Sequence, residues 1–95
     1  MTTPPILTLT QFGGMCPTQA HGEILGCPFY FRARHGEWTL TVAPKGEDPI
    51  LHKDPLYFAE GEDETEGHMP MEDFITVLAK PIAQAVAKIY ERIAP

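Results

Sequence analysis

Two glycine-containing pairs, Leu25-Gly26 and His35-Gly36, divide the stretch from Gln19 to Ala43 into three segments of strand length: QAHGEI, CPFYFRAR and EWTLTVA. Glycine readily supplies the positive φ that tight two-residue hairpins need, so this punctuation predicts two consecutive hairpins. A two-residue turn at His35-Gly36 sets Arg34 opposite Glu37, Ala33 opposite Trp38, Arg32 opposite Thr39, Phe31 opposite Leu40 and Phe29 opposite Val42. Side chains alternate in direction along a strand. One face therefore collects Phe29, Phe31, Ala33, Trp38, Leu40 and Val42, and the other collects Tyr30, Arg32, Arg34, Glu37, Thr39 and Thr41. A turn at Leu25-Gly26 sets Ile24 opposite Cys27, Gly22 opposite Phe29 and Ala20 opposite Phe31. Small residues then lie beside large Phe rings on the apolar face, while Gln19, His21 and Glu23 join the polar one. Two independent turns agree on which face is apolar. Pro28 lacks an N–H, a loss tolerated at the start of a strand.

Before this meander, ILTLT at Ile6 to Thr10 alternates and is rich in β-favouring types, which predicts a fourth strand. The following QFGGMCPT reads as a loop whose Phe12 and Met15 cover a core edge, and residues 1–5, with Pro4-Pro5, are expected to be loose. From Pro44 to Pro70 there is little periodicity. Leu56 to Ala59 reads as a short edge strand, and Glu60 to His68, with five carboxylates, reads as a solvated acidic loop.

A helix is expected to begin near Pro70, since the missing donor costs nothing in a first turn. Glu72 and Asp73 complement its N-terminus, and Lys88 and Arg92 its C-terminus. Phe74, Leu78, Ile82, Val86, Ile89 and Ile93 recur at three- and four-residue spacings, with Val77, Ala85 and Tyr90 widening the stripe. Pro81 interrupts the segment without breaking the phase of that stripe, which predicts one kinked helix rather than two. An apolar sheet face and an apolar helix face bury one another. The expected fold is therefore a single small α+β domain over residues 1–95, an antiparallel meander of three to four strands packed against a kinked C-terminal helix.

Ninety-five residues suit one domain, and an apolar fraction of 43% separates the chain from disordered compositions. No apolar run approaches the roughly 20 residues that span a bilayer, and the N-terminus lacks the basic-then-apolar pattern of a secretory signal. The expected location is the cytoplasm, with no membrane association. A formal charge of −6 opposes attraction to a phosphate backbone and favours solubility.

Residues able to support chemistry are few and scattered. Cys16, His21, Cys27 and His35 are suitable zinc ligands by type, but neither cysteine has the closely spaced partner of a structural site, and the strand register sends His21 and Cys27 to opposite faces. A Cys16–Cys27 disulfide requires the two positions to fall within the short Cα separation of such a bond. The carboxylates from Glu60 to Glu66 do not follow the order of a calcium-binding loop. Serine is absent and no hydrolase motif occurs. Cys16 with His21 is a candidate nucleophile and base, and nothing in the sequence sets their distance. No catalytic residue, metal or cofactor is assigned.

The polar sheet face is the better candidate. His21, Tyr30, Arg32, Arg34, Glu37 and Thr39 form a rigid mixed patch in which Tyr and Arg combine contact area with directional polar groups. Tyr30, Arg32 and Arg34 would also suit a nucleic acid, but Glu23 and Glu37 share the face and only two basic groups cluster. A second, acidic surface comprises Glu60, Glu62, Asp63, Glu64, Glu66, Glu72 and Asp73. The expected function is a small noncatalytic protein-binding or regulatory module, acting as an inhibitor in one version, with a protein partner and self-association as an alternative use of the same face. The competing expectations are a small enzyme or metal-dependent module using Cys16 and His21, and an acidic nucleic-acid mimic that occupies a nucleic-acid-binding protein.

Overall fold

The computed structural model describes residues 6–14, 17–50, 52–65 and 67–93, apart from the Ile93 side chain. Five strands, β1 (Leu7–Gly13), β2 (Thr18–Ile24), β3 (Cys27–Arg34), β4 (Glu37–Val42) and β5 (Tyr57–Glu62), precede a helix, α1 (Met71–Ile93). The strands lie side by side in chain order, each antiparallel to the next. One face of this sheet packs on α1, giving the expected two-layer α+β architecture with one strand more than the meander and its N-terminal neighbour. The expectations for residues 1–5, Met15, Cys16 and Glu66 lie outside the described residues.

Both hairpins hold the registers that their turns dictate. Leu25 (φ 51°) and Gly26 (83°), like His35 (55°) and Gly36 (78°), place two successive residues in the left-handed region. That is the backbone of a type I′ turn, whose twist matches the flanking strands. Ala20, Ile24, Phe29, Phe31, Ala33, Leu40 and Val42 are buried on the helix side. Phe31 anchors an aromatic cluster there. Its ring centroid lies 5.0 Å from that of Phe74 on α1, edge to face, and 6.0 Å from that of Trp38; Phe74 in turn meets Phe12 at 5.0 Å.

β1 runs three residues past Thr10, through the segment expected to be loop. Strict alternation would send Phe12 to the polar face, out of phase with Leu7 and Leu9. A bulge repairs the phase: Leu9 pairs with Gly22 and Gln11 with His21, leaving Thr10 as an extra residue. Phe12 then sits opposite Ala20 and reaches the core.

β5 also runs further than expected, so Glu60, Gly61 and Glu62 belong to a strand and not to the acidic loop. Tyr57, Ala59 and Gly61 face the helix side opposite Val42, Leu40 and Trp38. Gly61 leaves room for the Trp38 indole, which a Cβ there would meet at 2.6 Å. Burial pushes the Tyr57 phenol above its ordinary pKa, and its hydroxyl donates to Gln84 Oε1 of α1.

Helix α1 is continuous through Pro81. Pro70 sits one residue before it, in the capping position, where its carbonyl accepts the first helical bond from Phe74 N–H at 3.0 Å. Phe74, Leu78, Pro81, Ala85 and Ile89 are buried, while Val77, Ile82 and Val86 are half-buried. The buried ridge therefore passes through Pro81 and Ala85, rotated from the expected line through Ile82 and Val86. Tyr90, expected to widen the stripe, is 58% exposed.

The segment between β5 and α1 is held by a buried polar chain. The Asp63 carboxylate, 2% exposed, accepts bonds from Thr65 N–H, the Thr65 hydroxyl and Gly67 N–H. The buried Thr18 hydroxyl of β2 donates to the Gly67 carbonyl at 2.7 Å and accepts from Met69 N–H at 3.0 Å. The start of α1 is thereby tied to the sheet at Met69, one residue before the cap. Removing a buried charged acceptor strands its donors. Asp63→Ala is expected to lower unfolding stability by about 2–3 kcal/mol and Thr18→Val by about 1–2 kcal/mol, measured by urea titration. A loss under about 0.5 kcal/mol in Asp63→Ala would show that the segment docks without this chain.

Candidate functional site

The face of the sheet turned away from α1 is assembled by period-2 alternation on all five strands. Strand pairing lines up Gln11, His21, Tyr30, Thr41 and Phe58 as one row across the sheet, and Gly13, Gln19, Arg32, Thr39 and Glu60 as the next. Beyond these, Arg34, Glu37 and Glu62 form a charged third row. All six residues expected on the mixed patch, His21, Tyr30, Arg32, Arg34, Glu37 and Thr39, share this face. His21, Tyr30, Arg32 and Thr39 are half-buried by their neighbours, and Arg34 and Glu37 are exposed.

Two contacts fix the aromatic part of the patch. The His21 and Tyr30 rings pack with centroids 4.9 Å apart, and the Tyr30 hydroxyl donates to Gln19 Oε1 at 2.9 Å. Arg32 and Arg34 project from alternate positions of the central strand, and among the described residues neither makes an ion pair within 4 Å. An open concavity of about 230 Å³ is lined by Arg32, Arg34, His35, Glu37 and Thr39. It offers two guanidinium forks beside an imidazole, a carboxylate and a hydroxyl, a set suited to charge-matched docking.

The described residues of the expected acidic surface fall on the sheet face, in the β5–α1 segment and in the first turn of α1. Glu60 and Glu62 lie on β5 and enlarge the mixed face instead. Asp63 is buried and serves as the anchor of the β5–α1 segment, because its two oxygens are consumed by three local donors. Glu64 is exposed beyond the strand end, Glu72 and Asp73 sit in the first turn of α1, and Glu66 lies outside the described residues. A concavity of about 330 Å³ gathers Glu62, Asp63, Glu64 and Asp73 between β5 and α1. Among the described residues, no group of three or more His, Cys, Asp or Glu is placed to hold a metal ion.

Among the described residues, the cysteine and histidine candidates are not brought together. Cys27 is a buried free thiol on the helix side, opposite in direction to His21. Cys16, the proposed partner of His21 as nucleophile, lies outside the described residues. No helix among the described residues is long and apolar enough to cross a membrane.

Gln19 and Thr41 lie on the polar face as the register predicts, and Phe58, Glu60 and Glu62 of β5 complete it, which the sequence reading did not place there. For β5 the signal was present: YFAEGE alternates, with Tyr57, Ala59 and Gly61 facing one way and Phe58, Glu60 and Glu62 the other. An exposed Phe58 and two carboxylates in a charge-dense stretch masked it. Comparison with protein-family models, curated proteins and solved structures finds no match to this chain.

Proposed function

We propose that this chain is a noncatalytic binding module whose mixed sheet face docks a protein. The observation that carries the proposal is the pair of guanidiniums at Arg32 and Arg34, unpaired among the described residues and flanked by the packed His21 and Tyr30 rings. A stiff central strand presents them at a spacing of about 6.8 Å, two residues along a strand. Among the described residues both stay without carboxylate partners although Glu37, Glu60 and Glu62 stand on the same face, which leaves their donors open to an incoming surface.

The complementary surface is a protein patch with carboxylates against Arg32 and Arg34 and a basic group against Glu60 or Glu62. A long polyanion fits less well, since the chain as a whole carries −6 and counterion release needs many basic contacts. The acidic residues divide between the sheet face, the buried Asp63 and the helix start, which supports a nucleic-acid mimic less well than a mixed docking face. The cytoplasm suits the module, because a buried free thiol such as Cys27 persists in a reducing compartment.

The test is partner capture from a nuclease-treated lysate of the source cells with three baits: wild type, Arg32→Glu/Arg34→Glu, and Lys80→Glu on the solvent side of α1. Thermal unfolding verifies that each bait is folded. A stoichiometric protein held by wild type and Lys80→Glu, released by raised salt and absent from the double variant is the expected result. Equal capture by all three baits would overturn the role given to the sheet face.

A further inference from the structure

An open antiparallel sheet ends in two edge strands, and here the two differ in chemistry. β5 carries Glu60 and Glu62; pairing this edge with its own copy would bring carboxylates together, the usual protection of an edge. β1 has no such protection. From Ile6 to Gly14 the chain contains no charged residue, and Ile6 is 54% exposed.

The backbone of β1 is set for pairing before its bulge. Leu25 N–H donates to the Ile6 carbonyl at 2.8 Å, which marks Ile6 and Leu25 as a hydrogen-bonded pair. Such pairs alternate along an antiparallel ladder with pairs whose N–H and C=O groups point away. Thr8 opposite Glu23 is therefore bonded inward, while Leu7 opposite Ile24 and Leu9 opposite Gly22 aim their backbone groups at the open edge.

We propose that β1 pairs with β1 of a second copy about a twofold axis at Thr8, joining two sheets into one of ten strands. In this register Leu7 exchanges backbone bonds with Leu9 of the second copy and Leu9 with its Leu7, and the two Thr8 side chains face each other on the sheet's outer side. Threonine pairs are favourable cross-strand neighbours. The Leu7 and Leu9 side chains, half-buried on the helix side, gain one another as apolar neighbours.

The helix favours this edge as well. Gln84 ties one flank of α1 to Tyr57 on β5, and at 100° per residue the opposite flank carries Ile75, Ile82 and Val86 toward β1. Ile75 is 59% exposed, so apolar surface adjoins the β1 edge and the carboxylates adjoin the β5 edge. Strand pairing about a twofold is isologous, so an uncharged edge meets its own kind without repulsion even in a chain of net charge −6.

Sedimentation equilibrium and amide exchange test the pairing together, from micromolar to millimolar chain. The expected result is a mass that rises from 10.6 kDa toward twice that value, with Leu7 and Leu9 amide exchange slowing over the same range. Thr8→Glu, at an exposed outer-face position beside Glu23, sets carboxylates against each other across the axis and is expected to weaken association several-fold, while Glu62→Lys leaves it no weaker. A wild type that stays monomeric throughout would overturn the proposal. So would association that survives Thr8→Glu unchanged, or that is lost instead in Arg32→Glu/Arg34→Glu.

Discussion

Gly22→Ala is expected to destabilise the protein by about 3 kcal/mol or more, at the upper end of overpacking effects. Gly22 holds no left-handed backbone; it is glycine for space. A Cβ at this position would stand 2.0 Å from the Thr8 carbonyl of β1 and 2.7 Å from the Phe29 ring. A ring tip can swing aside, but a backbone carbonyl engaged in the β1–β2 ladder cannot move without parting the strands. Gly26→Ala supplies the contrast: it meets nothing within 4 Å and strains only a left-handed turn (φ +83°), an effect of roughly 1 kcal/mol. Urea titration of both variants checks the order. A Gly22→Ala loss no greater than that of Gly26→Ala would mean that β1 is not held against β2 as described.

Phe31→Ala is expected to lower stability by about 3–5 kcal/mol, the range for deleting a buried aromatic ring. Phe31 is fully buried and stands where sheet and helix meet, between Trp38 on β4 and Phe74 on α1. Its removal loses burial and leaves a cavity that three strands and a helix must collapse around. A chain of this length has a total stability of roughly 5–14 kcal/mol, so the loss removes a large fraction of it. A double-mutant cycle with Phe74→Ala isolates the contact between the two layers, with an expected coupling of about 0.5–1.5 kcal/mol. Coupling near zero, with Phe31→Ala losing under about 1.5 kcal/mol, would contradict the placement of α1 over β3.

The elements most legible in the sequence were those where two kinds of signal coincided. Leu25-Gly26 and His35-Gly36 set turn positions, and alternation independently set the faces, so β2, β3 and β4 followed residue by residue. β1 was cut short at Thr10 because a bulge adds one residue and shifts the phase of Phe12, and a period-2 pattern carries no mark of such an insertion. β5 was shortened because Glu60 and Glu62 resemble solvated loop charges until the register against Thr39 and Glu37 is known. The helix stripe is in phase, yet its buried centre lies at Pro81 and Ala85, whose small side chains weigh little in a periodic apolar pattern.

The candidate site divided along the same line. The mixed patch was readable because it is the complement of the apolar face: each residue assigned inward on β2, β3 and β4 assigns its neighbour outward. The acidic surface was not, since adjacency in sequence says little about direction. Asp63 illustrates this. Asp two residues before Thr65 is a local turn signature, and its carboxylate turned inward to three donors instead of outward to solvent.

One sheet thus carries two separable roles, an inner face that holds α1 and an outer face proposed to hold a partner. The most direct test is side-chain nuclear magnetic resonance of isotope-labelled protein titrated with the partner captured by the wild-type bait. The expected result is perturbation of the Arg32 and Arg34 guanidinium signals, the His21 and Tyr30 rings and the Thr39 and Thr41 methyl groups, with Ala79, Ala83 and Ala87 methyl signals on the solvent side of α1 unmoved. Perturbation of those helix signals with an undisturbed sheet face would contradict the account.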